Sequence, residues 1–534
     1  MNMVDPTTVQ NEIEAASITQ LNKIGMALSS EHDLDTLLEL ILTELKTLTN
    51  ADAGTLYLKS ADEQALEFNV VQTDSLGIHM GGTHEPIEWK PLQLYSEDGS
   101  ENREMVAVLC ALEGKVVVID DVHSTKAWDF TGTRMFDAST GYRSKSMLVI
   151  PMRNHEEEII GVCQLINRID PLSGAVVSFT PADREIALSL ASQAAVALTN
   201  TQLINDLTVL LRSFIQSIAT AIDEKSPHTG GHIRKVAKIT ELMSEAINAS
   251  DEGVFKDVQY GAQELEELQI AALMHDIGKI TTPEHVINKT TKLETIFDRI
   301  EIVKMRFELL KKERELAFYK AKADRDGEGH EELEEVFRKE LETLDEEMAF
   351  LESINIGGEA MQQEHIDRVH MIAKREWSAA GKKAPLLSED ELNNITIAKG
   401  TLNDTERHII NDHARISLEM LQQLPFPKKL RRIPEIAGSH HERLDGKGYP
   451  MGLSAEELSL EARILAFADI FEALTASDRP YKEAMRMSLV KTIMESMAEQ
   501  NALDKDIVRF FYENGLHIRY GLQELKPEQL DTDT

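Results

Sequence analysis

Cysteine is nearly absent: the 534 residues contain two, Cys110 and Cys163. They cannot build a disulfide framework, and no C-x-x-C pair offers a zinc knuckle. A reducing compartment, the cytoplasm, is the expected location. Basic side chains are also in short supply, with 56 Lys and Arg against 92 Asp and Glu and a formal net charge of -36. Such a chain repels nucleic-acid polymers and anionic membrane surfaces, so neither is an expected partner. A small phosphorylated ligand stays compatible, because metal ions and a few Lys or Arg can meet its phosphates locally. No run of 18 apolar residues occurs, so no membrane span is expected. The opening "MNMVDPTTVQNEIEAAS" lacks the basic start and apolar run of a signal peptide. What is present, 42% hydrophobic and 28% charged residues, reads as globular. The length exceeds one core and predicts two or three domains.

After a tail over 1–17, helical segments from about Ile18 to Asn200 flank short β-rich runs: "GTLYL", "LEFNVV", "KVVVID", "SMLVIPM" and "IIGVCQLIN". This predicts an N-terminal α+β domain with its own core. Through "SSEHDLDTLLELILTELKTLTNADAGTLYL", "GYRSKSMLVIPM" and "GVCQLINR" the region 18–200 resembles a GAF domain, a small-molecule sensor fold. Cyclic-nucleotide-binding GAF domains carry an Asn-Lys, then a Phe, then an Asp-Glu. Asn167, Arg168, Phe179 and Asp183 match that pattern in part, with Arg184 where Glu would sit and Glu185 one place late. The resemblance implies a cyclic nucleotide or another small ligand at these four. A strand end followed by an Asp183 N-cap on "REIALSL" accounts equally for Phe179 and Asp183.

From Leu203, apolar residues recur at Leu207, Leu210, Phe214, Ile218 and Ala221, one face of a linker helix over 201–225. Either it packs on its own domain or it pairs with its copy in a homodimer, carrying a rotation or register shift from sensor to effector. The segment 293–399 differs from its neighbours. Leu293, Ile296, Ile300, Val303, Phe307 and Leu310, and later Phe337, Leu341, Leu344, Met348 and Leu351, follow a 3-4 spacing around the turn "KADRDGEGH". They predict a protruding antiparallel helical hairpin followed by further helix, inserted within the second domain. No catalytic constellation is visible in it, and His365 and His370 read as solvated or locally bonded.

The rest of the second domain, 203–522 before a tail over 523–534, is predicted all-α. It holds five stretches with His or Asp beside an apolar helix face: "SPHTGGHIRKVA", "IAALMHDIGKI", "IINDHARISLEML", "SHHERLDGKGYP" and "ARILAFADIFEALTASDRPYK". Asp276 and Asp469 interrupt apolar runs, and a buried carboxylate needs a cation partner. With His232, His275, His413, His440 and His441 available, a shared metal site is favoured over separate Arg pairings. Adjacent histidines on a helix point about 100° apart, so His440 and His441 suit two metal ions, or one metal and one substrate group. His228 stands four before His232, although "TGG" between them threatens the helix; a polar helix start after Pro227 explains it as well. Imidazole with carboxylate suits iron or manganese.

"MHDIGK" and "HHERLDGKGYP", with "ARILAFAD" and "DRPYK", resemble the HD-GYP phosphodiesterases, a subset of the HD phosphohydrolases. The flanks "TTPEHVINKTTKLETIFDRIE" look like a branch with a helical insertion. The resemblance implies a multidomain protein, GAF sensor then HD-GYP domain, that hydrolyses cyclic di-GMP to linear pGpG or GMP. It implies two divalent metal ions held by His232, His275, Asp276, His413, His440, His441 and Asp469, and a third if His228 takes part. Such ions provide a nucleophile at neutral pH and clamp phosphate oxygens. Asp276 and Lys279 then act at the reacting phosphate. Arg479 and Lys482 hold the second phosphate or the guanine side. Gly448 and Tyr449 shape the mouth of the site and a surface for a signalling protein. Rival readings are hydrolysis of cyclic GMP-AMP, a weakly active receptor, and a mononucleotide hydrolase, which leaves "HHERLDGKGYP" unexplained.

Overall fold

The computed structural model describes residues 23–531 except 29, 32, 126–127, 226–230, 326–328, 359, 380 and 477–483. Two compact units divide at Leu211/Arg212.

In the first unit, helical residues 23–28 precede α1 (Leu34–Thr49), whose N-cap Asp33 accepts from Thr36 N at 2.8 Å and which ends at left-handed Asn50. Its buried stripe, Leu37, Leu38, Ile41, Leu42 and Leu45, faces an antiparallel sheet. The strands are β1 (Ala51–Lys59), β2 (Ala65–Thr73), β3 (Ile78–Gly81), β4 (Leu92–Gln93), β5 (Val117–Ile119), β6 (Met147–Arg153), β7 (Ile159–Ile169) and β8 (Val176–Val177). The main order is β3-β2-β1-β7-β6-β5, with β4 on β2 and β8 on β7. Gly54 of β1 lets α1 approach, since a Cβ there would sit 2.6 Å from Leu42 Cδ1. One sheet face is covered by α1 and by the start of α4 (Pro181–Lys225), the other by α2 (Val106–Glu113). A further helix, α3 (Thr131–Thr140), follows β5.

The predicted linker is the continuation of α4, which runs unbroken from Pro181 to Lys225. Its packing differs from the expected stripe. Ile215, Ala219 and Ile222 are the residues buried in the helical core, while Leu207, Leu210 and Phe214 are 63%, 64% and 63% exposed. The helix is apolar on two sides, and the 3-4 spacing alone did not tell them apart.

The second unit packs that end of α4 with α5 (His232–Asn248), α6 (Ala262–Met274), α13 (His413–Gln422), α14 (Ile433–Gly438), α15 (Leu460–Thr475), α16 (Met487–Glu499), α17 (Lys505–Glu513) and α18 (Leu516–Glu524). Between α6 and α13 come α7 (Glu284–Ile287), α8 (Ile300–Ala323), α9 (His330–Asn355), α10 (Gln363–Ala373), α11 (Glu389–Ile395) and α12 (Asp404–Asn411). The pairs Lys304–Glu352, Lys311–Asp345 and Lys322–Glu334 run in opposite chain directions, so α8 and α9 form the antiparallel hairpin. The sequence reading omitted a two-stranded ribbon, β9 (Glu376–Ala379) with β10 (Lys382–Pro385). Its short, charge-rich strands carry too weak an alternation to be read.

Leu293, Phe307, Leu344, Leu351, Val369 and Leu386 belong to a core cluster separate from that of the main helices. Excising 293–399 is therefore expected to leave a folded, metal-binding unit, with Lys289 still paired to Glu406 across the junction. Soluble protein with metal analysis checks this; insoluble protein lacking metal would contradict it.

Candidate metal centre

Five segments converge in the second unit: the start of α5, the turn after α6, the start of α13, the segment after α14, and the middle of α15. The chain turns sharply after His275 into a 3-10 stretch, Ile277–Thr281. That turn lies against α13 because residue 278 is glycine: a Cβ would be 2.1 Å from His413 O and 2.7 Å from Ser417 N. The Gly278 amide donates to Ser417 Oγ at 2.9 Å.

Asp276, 2% exposed, lies at the centre. Its Oδ2 is 3.4 Å from His232 Nε2 and 3.3 Å from His275 Nε2, while its Oδ1 is 3.2 Å from His413 Nε2 and 3.9 Å from His440 Nε2. Asp469 Oδ1 stands 3.2 Å from His232 Nε2, and Oδ2 stands 3.8 Å from His441 Nδ1. Two ligand sets result, His232/His275/Asp276 and His413/His440/His441, each with ligand atoms within 4.8 Å of one another. A carboxylate edge thus faces each set.

The tautomers are set by the backbone. His275, His413 and His440 donate Nδ1–H to the carbonyls of Ala272, Ile410 and Ala437, at 2.8, 2.5 and 2.6 Å. A carbonyl only accepts, so in the neutral ring the lone pair sits on the inward Nε2, the arrangement of a metal-ligating imidazole. His232 Nε2 and His275 Nε2 are buried without a hydrogen bond. Orphaned nitrogens among carboxylates fit a divalent cation, and the unit is a divalent metal-binding one.

Charge follows the same plan. Burial pushes His440 well below the usual imidazole range, reinforced by the neighbouring His441 and His275. Burial likewise takes His441 down to about 4. Both are neutral at pH 7 and free to ligate. Burial opposes the charge on His232, yet Asp276, Asp469 and Glu472 around it hold it well above its usual value. Burial also opposes the Asp276 charge, and Lys279, His275 and His232 overcome that and hold it well below the carboxylate range. His232 must lose a proton to ligate, so metal uptake by the metal-free protein at pH 7 is expected to release one, and affinity to rise with pH. Calorimetry in two buffers of different ionisation enthalpy reads that proton; equal heats would contradict it.

Two contributors escaped the sequence reading. Glu472, one helical turn after Asp469 and 3% exposed, accepts from His232 Nδ1 at 2.5 Å. Its spacing in "ADIFEAL" was the available signal. Glu472→Gln is expected to weaken metal affinity about 10–100-fold; unchanged affinity by competition with a chelator would contradict this. Glu442, also 3% exposed, accepts from the amides of Met451, Gly452 and Leu453 at 2.6, 3.1 and 2.9 Å and anchors the Gly-Tyr-Pro loop. Gly448 passes so close that a Cβ would be 2.4 Å from Glu442 Cα. The Tyr449 ring then lies 4.8 Å from His441. Lys279 is half-buried, its Nζ 2.6 Å from Asp276 Oδ2. His228, Arg479 and Lys482 lie outside the described residues.

The first unit contains a cavity of about 680 Å³ with Tyr57, Phe68, Trp89, Phe136 and Tyr142 in its wall. The four residues expected to hold a sensor ligand do not line it. Asn167 binds Lys145 N and Arg143 O at 2.7 and 2.8 Å, Arg168 pairs with Asp183 at 2.7 Å, Asp183 also accepts from Thr180 N at 2.7 Å, and Phe179 is core. Arg168 and Asp183 join β7 to α4, and Asn167 joins β7 to the segment before β6.

Residues 33–198 match the GAF domain family, and residues 229–373 and 377–507 match two families each described as HD domain. Over 103 residues the chain is 43% identical to "3'3'-cGAMP-specific phosphodiesterase 3" of Vibrio cholerae, which is 19% of this chain and 22% of that protein. Over 95 residues it is 44% identical to "Cyclic di-GMP phosphodiesterase response regulator RpfG" of Xanthomonas campestris, 17% of this chain and 24% of that protein. The matches thus span under a quarter of these relatives' lengths. The GAF domain of an Acinetobacter phosphoenolpyruvate-protein phosphotransferase aligns with 36% of this chain and 98% of its own, at 14% identity and TM-score 0.27.

Proposed function

We propose that this chain, a GAF domain joined to an HD domain, is a metal-dependent phosphodiesterase that hydrolyses cyclic di-GMP to pGpG or GMP under control of the GAF domain. Asp276 carries the reading: one buried carboxylate whose two oxygens face separate sets of imidazoles. His232, His275, Asp276 and Asp469 would hold one metal ion, and Asp276, His413, His440 and His441 the other, with iron or manganese suiting these thiol-free donors. Bound there, the pair supplies activated water and offsets charge on the phosphate oxygens. The chain does the rest. Lys279 keeps its ammonium charged beside Asp276: burial would lower its proton affinity, and the carboxylate raises it above the usual lysine value. That charge meets a phosphodiester oxygen at the edge of the site. Tyr449, held by the Glu442-anchored loop, offers a ring face to a purine. Arg479 and Lys482 serve the second phosphate in the same reading.

The exposed face of α4 at Leu207, Leu210 and Phe214 suits pairing with a second copy. Both thiols are buried, in keeping with a cytoplasmic protein, and none of the described helices is long and apolar enough to cross a membrane. The Gly-Tyr-Pro loop offers a signalling protein a contact. The aromatic wall of the GAF cavity favours a planar small ligand over one bearing several phosphates. The names of the relatives divide between two cyclic dinucleotides, which keeps cyclic GMP-AMP as a second substrate reading.

Chromatography of products from each dinucleotide, with manganese or ferrous iron supplied, tests the proposal. Linear product from cyclic di-GMP at the higher kcat/KM is expected. Product from cyclic GMP-AMP alone would transfer the assignment to that substrate, and tight binding without product would favour a receptor.

A further inference from the structure

Helix α4 ends beside the centre, and its last turn reaches two segments that carry ligands. Lys225 Nζ donates to the carbonyls of Lys279 at 3.0 Å, of Ile280, and of Thr282 at 2.8 Å. These are carbonyls at the close of the 3-10 stretch after Asp276 and at its C-cap Thr282, where the local dipole favours a cation; Lys279 O also accepts from Thr282 N at 3.1 Å. Two residues earlier, Asp223 Oδ1 accepts from Ile233 N at 3.3 Å. That amide belongs to the first turn of α5, which opens at His232 behind Gly231, a cap with no side-chain hydrogen bond. A carboxylate there does what a missing N-cap would do. One helical turn therefore supplies a cation to the end of one ligand-bearing segment and an anion to the start of another. Neither side chain belongs to the ligand sets. Both act through the backbone that carries the ligands.

We infer that Lys225, with Asp223 as its counterpart, is a positioning residue for the metal centre, so that displacement of α4 changes how His232 stands relative to Asp276 and Lys279. An ammonium answered by three carbonyls and, among the described residues, by no carboxylate has little role as a surface charge; its geometry is that of a clamp. The inference deepens the proposed function and depends on it only for turnover.

The test uses the full chain carrying Lys225→Met. Amide hydrogen exchange over 277–282 in the metal-free protein is expected to run about tenfold faster, the loss of roughly one strong hydrogen bond. The absorption bands of the Co(II)-substituted protein are expected to shift. Turnover of cyclic di-GMP is expected to fall on the order of tenfold to a hundredfold in kcat, with KM changed by less than about twofold. Lys225→Arg, whose fork still reaches carbonyls, is expected to recover most of each signal. Unchanged exchange and cobalt bands in Lys225→Met would overturn the inference, as would a fall in thermal midpoint that Lys225→Arg does not recover. Should Lys225→Met not fold, Asp223→Asn is read by the same cobalt bands, and bands identical to wild type would overturn it. If the unaltered chain hydrolyses no cyclic dinucleotide, the proposed function fails, while exchange and cobalt bands still decide on Lys225.

Discussion

Asp276→Asn is expected to abolish stoichiometric metal binding and to lower turnover by about a thousandfold or more, the several kcal/mol that a metal pair contributes to a phosphoryl transition state. Both carboxylate oxygens are committed, one toward His232 and His275 and the other toward His413 and His440. An amide presents one weak acceptor and one donor, so it cannot face cations on both edges. Its shape is the same, and the half-buried Lys279 can turn to solvent, so the helical unit stays folded. Metal analysis and circular dichroism on one preparation separate these effects. Full metal content and normal turnover would remove Asp276 from the centre.

Gly278→Ala is the second large effect, and it works through the backbone. The added methyl would meet His413 O at 2.1 Å and Ser417 N at 2.7 Å, both main-chain atoms that cannot swing aside. The turn bearing Asp276 and the helix bearing His413 must then separate, which pulls the two ligand sets apart. A loss of about 3 kcal/mol of stability, the upper range for overpacking, is expected together with loss of metal. Ser417→Ala is the calibrating variant. It removes only the hydrogen bond from the Gly278 amide and is expected to cost about 1 kcal/mol with metal retained. A Gly278→Ala protein as stable and as metal-loaded as Ser417→Ala would show that the contact yields.

The residues at the centre were legible because their chemistry conflicts with their surroundings. Asp276 and Asp469 break apolar runs, and in the fold they lie buried among imidazoles. Glu472 was less visible, although it is equally buried, because one more acid on an amphipathic helix looks solvated until its distance to His232 is known. Glu442 was hidden for another reason: its partners are three backbone amides of the loop that follows it, and amides leave no mark in a sequence. The α8/α9 hairpin was readable from its spacing, whereas the β9/β10 ribbon was not. In the first unit, among the matched positions, Arg168 and Asp183 pair across a strand-to-helix junction, and Asn167 ties β7 to the segment before β6. The aromatic cavity draws on residues scattered from Tyr57 to Tyr142, which only the folded sheet brings together.

In the proposed function Asp276 would help to hold both metal ions, one with His232 and His275 and the other with His413 and His440. Anaerobically purified chain, stripped and then titrated with Mn(II) or Fe(II), tests it most directly, with bound metal per chain and cyclic di-GMP turnover read on each sample. At least two equivalents bound per chain are expected, with turnover that rises with loading of the second. Full turnover in metal-free protein, or a chain that binds no metal, would contradict it.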